Sequence, residues 1–246
     1  MNDLLTEVFG VRVTYGLAAG GIAALTMLLF LVLWLTTQRR KTEGPIPFGG
    51  WMNAVGFGLL PALTVWKAFE SFSPLRGGDA VFEPLPLIPW LTEEGDFCPC
   101  RIEFAAGALC FLFVFLWLIT RKEPLPDNGD LLMTSLVLWA GVRIVTELFR
   151  EGDSAVTRYV CIGVILLCLL IWTVRKEQGP SGTWKSPVYW IVTLISGGLI
   201  AAMAAGFFSA GSPIADLLVT GGSVILLWSM TLSAAGDSRR ALEGEE

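Results

Sequence analysis

Seven stretches of this 246-residue chain stay apolar for roughly the 20 residues that a helix needs to cross a bilayer core. They run over about 14–36, 50–69, 103–120, 130–149, 156–174, 187–208 and 212–234. A backbone in hydrocarbon must satisfy its own N–H and C=O groups, so such runs become helices. The expected fold is therefore all-α: a polytopic membrane helix bundle of about seven transmembrane helices. Composition agrees. The chain is 54% hydrophobic and 16% charged, with a mean hydropathy of +0.64, whereas a soluble domain is about 25% charged. The second and fourth runs are the least apolar, because they hold Pro61 and Lys67, and Arg143 and Glu147.

Lys and Arg near the helix ends set orientation. With the N-terminus outside, the cytoplasmic side carries Arg39, Arg40, Lys41, Arg121, Lys122, Arg175, Lys176, Lys185, Arg239 and Arg240. The outer side then carries Arg12, Arg76, Arg101 and Arg158. This bias predicts seven spans and a cytoplasmic C-terminus. Tryptophans at 34, 51, 117, 172, 184 and 190 fall near the expected inner interface, and Trp66 and Trp139 fall deeper.

Several function classes recede on composition. The net charge of −5 offers no basic patch for nucleic acid. There is no histidine, which removes the usual neutral-pH base and the commonest metal ligand. No metal or cofactor set is legible. Cys110, Cys161 and Cys168 lie in apolar runs and read as small hydrophobes. The first residues lack a basic region and a cleavage site, so no removable signal peptide is expected. The loop from about Ser71 to Arg101 holds five prolines and five acidic residues, and reads as a lid, a partner-contact loop or a linker. Residues 178–186 (QGPSGTWKS) read as a second linker. The division expected is a core of five helices over 1–178, then two added helices and a short cytoplasmic tail over 179–246. The added helices are rich in Gly and Ala, which lets helices approach closely in lipid.

Charge concentrates at the end of the fourth run, in GVRIVTELFREGD from Gly141 to Asp153. Arg143, Glu147 and Arg150 are spaced i, i+4 and i+7, so they share one helical face. Arg143 falls about 9–10 Å below Phe149, inside the outer leaflet. Charge at that depth costs about 2.5–3.5 kcal/mol at a helix centre, and usually faces a bundle interior or a wet cavity. One reading is an ion pair that holds helices together. The other is a cationic pocket for an anionic headgroup, where a guanidinium binds phosphate bidentately and keeps its charge. Tyr15, Lys67, Glu70 and Glu103 stand at a similar expected membrane level and are further candidates.

Arg143, Glu147, Phe149, Arg150 and Asp153 fit R-x-x-x-E-x-F-R-x-x-D. This stretch resembles the signature of bacterial prolipoprotein diacylglyceryl transferases. TYGLAAGG at 14–21 is similar to the opening of that family's first helix, and CPCRIEFAAG at 98–107 to its HPSQLYE-type helix. The resemblance covers about two thirds of the chain. It implies a protein of the bacterial plasma membrane that moves a diacylglyceryl group from phosphatidylglycerol to a prolipoprotein cysteine at the outer face. It further implies that Arg143 and Arg150 hold the headgroup, that Glu147 orients Arg143, and that Tyr15 lines the site. The implied partners are a membrane phospholipid and a prolipoprotein signal peptide.

The chain also departs from the family. Its second helix reads LTVWKAFE where the family has arginine and asparagines, and Cys98 replaces a histidine. A base for the incoming thiol would have to be Glu70, Glu103, Glu147 or Tyr15. An inactive lipid- or lipoprotein-binding protein is therefore an alternative reading. A second is an extracytoplasmic thiol redox protein built on Cys98 and Cys100, whose C-x-C spacing would make a strained bridge. A small transporter would need broken helices or inverted repeats, and no repeat is visible.

Overall fold

The computed structural model describes residues 4–8, 11–39, 44–71, 92–93, 96–97, 99–120, 125–149, 155–177 and 187–243. Its body is helical: α1 (Tyr15–Arg39), α2 (Phe48–Glu70), α3 (Pro99–Thr120), α4 (Asp130–Thr146), α5 (Ala155–Glu177), α6 (Pro187–Ala204) and α7 (Pro213–Glu243). Six of these carry stretches long and apolar enough to cross a membrane, and α6 holds a shorter apolar run, Trp190–Ala204. The chain thus has the helices of a multi-pass membrane protein. Two short antiparallel strand pairs add to the helical body: β1 (Leu4–Val8) with β2 (Val11–Thr14), and β3 (Thr92–Glu93) with β4 (Asp96–Phe97). The sequence reading had no strands at either place.

Two helix ends differ from the apolar runs. α6 stops at Ala204 rather than 208 because Gly206 adopts φ 73°. The Phe207 N–H donates to the Ala202 carbonyl at 2.9 Å, and the Gly206 N–H to Met203 at 3.0 Å. This is a Schellman closure, which needs a left-handed residue. α3 begins at Pro99, so Cys100 lies inside a helix and is buried, not in a loop.

By packing, the chain divides into two compact units: Met1–Ser135 with Phe149–Gly152, and Leu136–Leu148 with Asp153–Glu246. The division passes through α4. In the first unit α1 packs on α2, and α2 on α3. Phe30 and Trp34 of α1, Phe57 of α2 and Phe111 of α3 form an aromatic cluster with centroids 5.3–6.3 Å apart. The start of α4 joins this unit by a cap supplied from another helix. Gly129 accepts the first helical bond, from Met133, but has no side chain to cap with. Asn53 of α2 does so instead: its Oδ1 accepts from the Leu131 N–H at 3.0 Å, and its Nδ2 donates to the Pro126 carbonyl at 2.8 Å. Gly56, one turn along α2, permits this approach, since a Cβ there would overlap the Leu131–Leu132 backbone. The Ser135 hydroxyl donates to the Gly56 carbonyl at 2.8 Å.

In the second unit α5, α6 and α7 pack on one another. Ile162, Ile165, Leu169 and Trp172 form the buried face of α5, and Thr220, Val224, Leu227 and Thr231 that of α7. Trp228 of α7 lies over Gly141, and its Nε1–H donates to the Val137 carbonyl at 3.0 Å. Trp172 is fully buried rather than an interfacial anchor, whereas Trp66, expected deep in the bundle, is partly exposed.

The outward residues of α1, α3 and α5 are large and apolar, among them Leu25, Leu29, Leu109, Phe113, Leu167 and Leu170. Such faces suit hydrocarbon and not water. α4 is the most enclosed candidate span, with 67% of its apolar window buried against 11% for α1. Burial therefore goes to a run that carries charge, as partitioning into lipid would demand.

Candidate functional site

The structure gathers five of the candidate residues into two polar clusters, one in each unit.

In the first unit, Lys67 of α2 sits between two carboxylates. Its Nζ is 2.6 Å from Glu70 Oε2 and 2.7 Å from Glu103 Oε2 of α3. Lys67 and Glu70 meet because i and i+3 are neighbours on a helix. Glu103 meets them because α2 and α3 pack together. The Lys67 side chain is 14% exposed and Glu103 is fully enclosed. The lysine is therefore not reaching out to an interface. It neutralises charge between two helices. Tyr15 lies half-buried in the first turn of α1, whose start Thr14 caps by accepting from the Leu17 N–H at 3.2 Å. Among the described residues Tyr15 joins no hydrogen bond of the Lys67 cluster.

In the second unit, Arg143 Nη2 lies 2.5 Å from Glu147 Oε1. The i, i+4 spacing on α4 makes this contact. α4 ends as a regular helix at Thr146, and Glu147 opens a 3-10 turn over Glu147–Phe149. Arg143 keeps 19% of its side chain exposed and Glu147 keeps 4%. The carboxylate is thus the more enclosed member of the pair. Arg150, Cys98 and Asp153 lie outside the described residues.

Two residues of α5 went unremarked as site candidates in the sequence. Arg158, counted there only among the outer-side charges, is buried to 3% exposure. Cys161, read as a small hydrophobe, is a half-buried free thiol. A signal for Arg158 was present. It stands i, i+4, i+7, i+11 and i+14 with Ile162, Ile165, Leu169 and Trp172, a spacing that places it on the apolar face. Among the described residues no group of His, Cys, Asp and Glu could hold a metal ion.

A known transferase resembles part of this chain. Over 109 residues it is 27% identical to the phosphatidylglycerol–prolipoprotein diacylglyceryl transferase of Paracidovorax citrulli (strain AAC00-1), a match covering 38% of this chain and 39% of that protein. The match thus spans well under two thirds of the relative's length. No family model matches, and no solved structure does. Together with the apolar helices, this weak likeness supports a transferase-like membrane protein.

Proposed function

We propose that this chain is a multi-pass protein of the bacterial plasma membrane that binds an anionic phospholipid of the phosphatidylglycerol type from the outer leaflet. The N-terminus lies outside and the C-terminus in the cytoplasm. The observation that carries the reading is the Arg143–Glu147 pair, kept in the most enclosed candidate span. A bilayer-spanning helix retains such charge at a cost, and an anionic headgroup offsets it. On this reading Arg143 meets the phosphate, Arg150 is the second cation, and Glu147 fixes the guanidinium. The relative's printed activity supplies the lipid class and the prolipoprotein partner.

Diacylglyceryl transfer to a lipoprotein cysteine is the reaction proposed for the active case. Glu147 and Tyr15 are then the groups that handle the thiol proton, and Lys67, Glu70 and Glu103 meet substrate. The five-helix core over 1–178 carries these residues, and the added helices serve packing or assembly. A lipid- or lipoprotein-binding protein without catalysis is the second reading. The pairing of Lys67 with two carboxylates favours it, because it leaves no uncommitted cation on α2 among the described residues.

A transfer assay separates the two. The purified protein receives phosphatidylglycerol and a lipobox peptide, and thioether-linked product is followed by mass spectrometry. Product that vanishes in Arg143→Ala and Glu147→Ala establishes the transferase. No product, with phosphatidylglycerol retained by wild type and lost from Arg143→Ala, establishes the binding protein. Neither product nor retention leaves the pair as helix glue and ends both readings.

A further inference from the structure

We propose that the turn between α6 and α7 is a lipid-contact surface, seated at the headgroup–acyl boundary with Phe207 and Phe208 dipping among the acyl chains. The inference rests on the membrane-spanning part of the reading above and not on the phosphatidylglycerol site. In the proposed topology the leaflet is the outer one.

The turn presents aromatic rings where a water-facing loop would present polar groups. Phe207 is 89% exposed, and Phe208 beside it is exposed as well. Ile214 and Leu218 continue this apolar surface onto α7, and Ile191, Leu194 and Ile195 form that of α6. The turn is thus continuous with helix faces that suit hydrocarbon. Asp216 is the only charged residue between Lys185 and Asp237, so the turn carries no cation to draw it into water.

Helix length makes the same demand. α6 has 18 residues, about 27 Å of helix, and its apolar run Trp190–Ala204 covers about 22 Å. The hydrocarbon core is about 30 Å thick. A helix shorter than the core draws its end toward the lipid or thins the bilayer around it. Phe207 and Phe208 extend the apolar stretch past the helix end, where the run is short.

A non-helical backbone can sit near that depth only if its polar groups find partners. This turn supplies many of them itself. The Gly206 and Phe207 N–H groups are engaged in the Schellman closure. The Ala210 N–H donates to Asp216 Oδ1 at 2.6 Å, and the Ser209 hydroxyl donates to Oδ2 at 3.1 Å. The Gly211 N–H donates to Ser209 Oγ at 3.3 Å, and the Ala215 N–H to Ser212 Oγ at 3.2 Å. Asp216 also stands in the first turn of α7, where the helix dipole favours negative charge. Its charge is therefore stabilised by the protein as well as by any water at the boundary.

Depth can be read from a bimane on Phe207→Cys in the full-length protein, reconstituted in phosphatidylcholine vesicles. Phe207 is almost bare, so the substitution should leave the fold intact, and the label replaces one apolar ring by another. Wild type treated alike is the blank for the native cysteines. Iodide quenches from water, and a phosphatidylcholine with a nitroxide on its acyl chain quenches from lipid. Iodide should quench the label about tenfold less than it quenches free dye, because a bare anion is excluded from the acyl region. The nitroxide lipid should quench it strongly. A label on Leu194→Cys, on the outward face of α6, is the reference for a lipid-facing position.

Iodide quenching at 207 near the free-dye level, with the label at 194 protected, would place the turn in water and overturn this inference alone. Protection from iodide at 207 without quenching by the nitroxide lipid would mean that protein, such as a second copy of this chain, covers the turn. That result would overturn it too. Free-dye quenching by iodide at both positions would sink the membrane reading itself.

Discussion

Lys67 shows how a residue's surroundings decide what its charge is for. Alone on an apolar helix, its long stem could carry the ammonium to an interface. Here two carboxylates lie within 2.7 Å and the side chain is nearly enclosed. Removing one member of a buried pair costs about 3–5 kcal/mol, mostly because the remaining charge is left without compensation. Lys67→Met should therefore destabilise by about 3 kcal/mol, read as a fall in thermal midpoint in detergent. Adding Glu103→Gln should restore part of the loss. If the double variant is no better than the single one, the ammonium is not held by that carboxylate. Glu147→Ala should lower stability on the same grounds and weaken retention of phosphatidylglycerol about tenfold or more. Unchanged retention would mean that Glu147 does not orient Arg143 toward a ligand.

Between elements, the contact of α2 with the start of α4 is built from small and polar residues. Asn53→Ala removes a cap that Gly129 cannot replace, and should cost about 1 kcal/mol or more. Gly56→Val should cost more than Asn53→Ala, because its side chain would meet backbone that cannot move aside. Thermal unfolding in detergent ranks the two. The reverse order would show that the helices separate easily there. This contact was poorly legible in the sequence. Pro61 and Lys67 marked α2 as the less apolar run, but nothing in the chain alone paired Asn53 with Leu131, 78 residues away. The end of α6 at Gly206 had a local cause, yet many glycines in this chain could have supplied it. The strands β1 and β2 were missed because the search for long apolar runs ignores short alternating segments.

At the scale of the whole molecule, orientation can be tested without reference to the site. A fluorescent protein fused behind the C-terminal tail should fold and fluoresce on the cytoplasmic side. A dark fusion with normal expression would reverse the proposed topology and move Arg143 to the inner leaflet. The helical class and the approximate positions of the seven α-helices among the described residues follow from hydropathy alone, because lipid forces a long apolar backbone to bond within itself. The Arg143–Glu147 contact was equally legible, since i, i+4 neighbours meet on any helix. The meeting of Lys67 with Glu103 belonged to the tertiary structure, and so did the choice of the face of α5 that holds Arg158 as the buried one. Both depend on which face each helix turns toward its neighbours, and that choice is made by packing between segments remote in the chain.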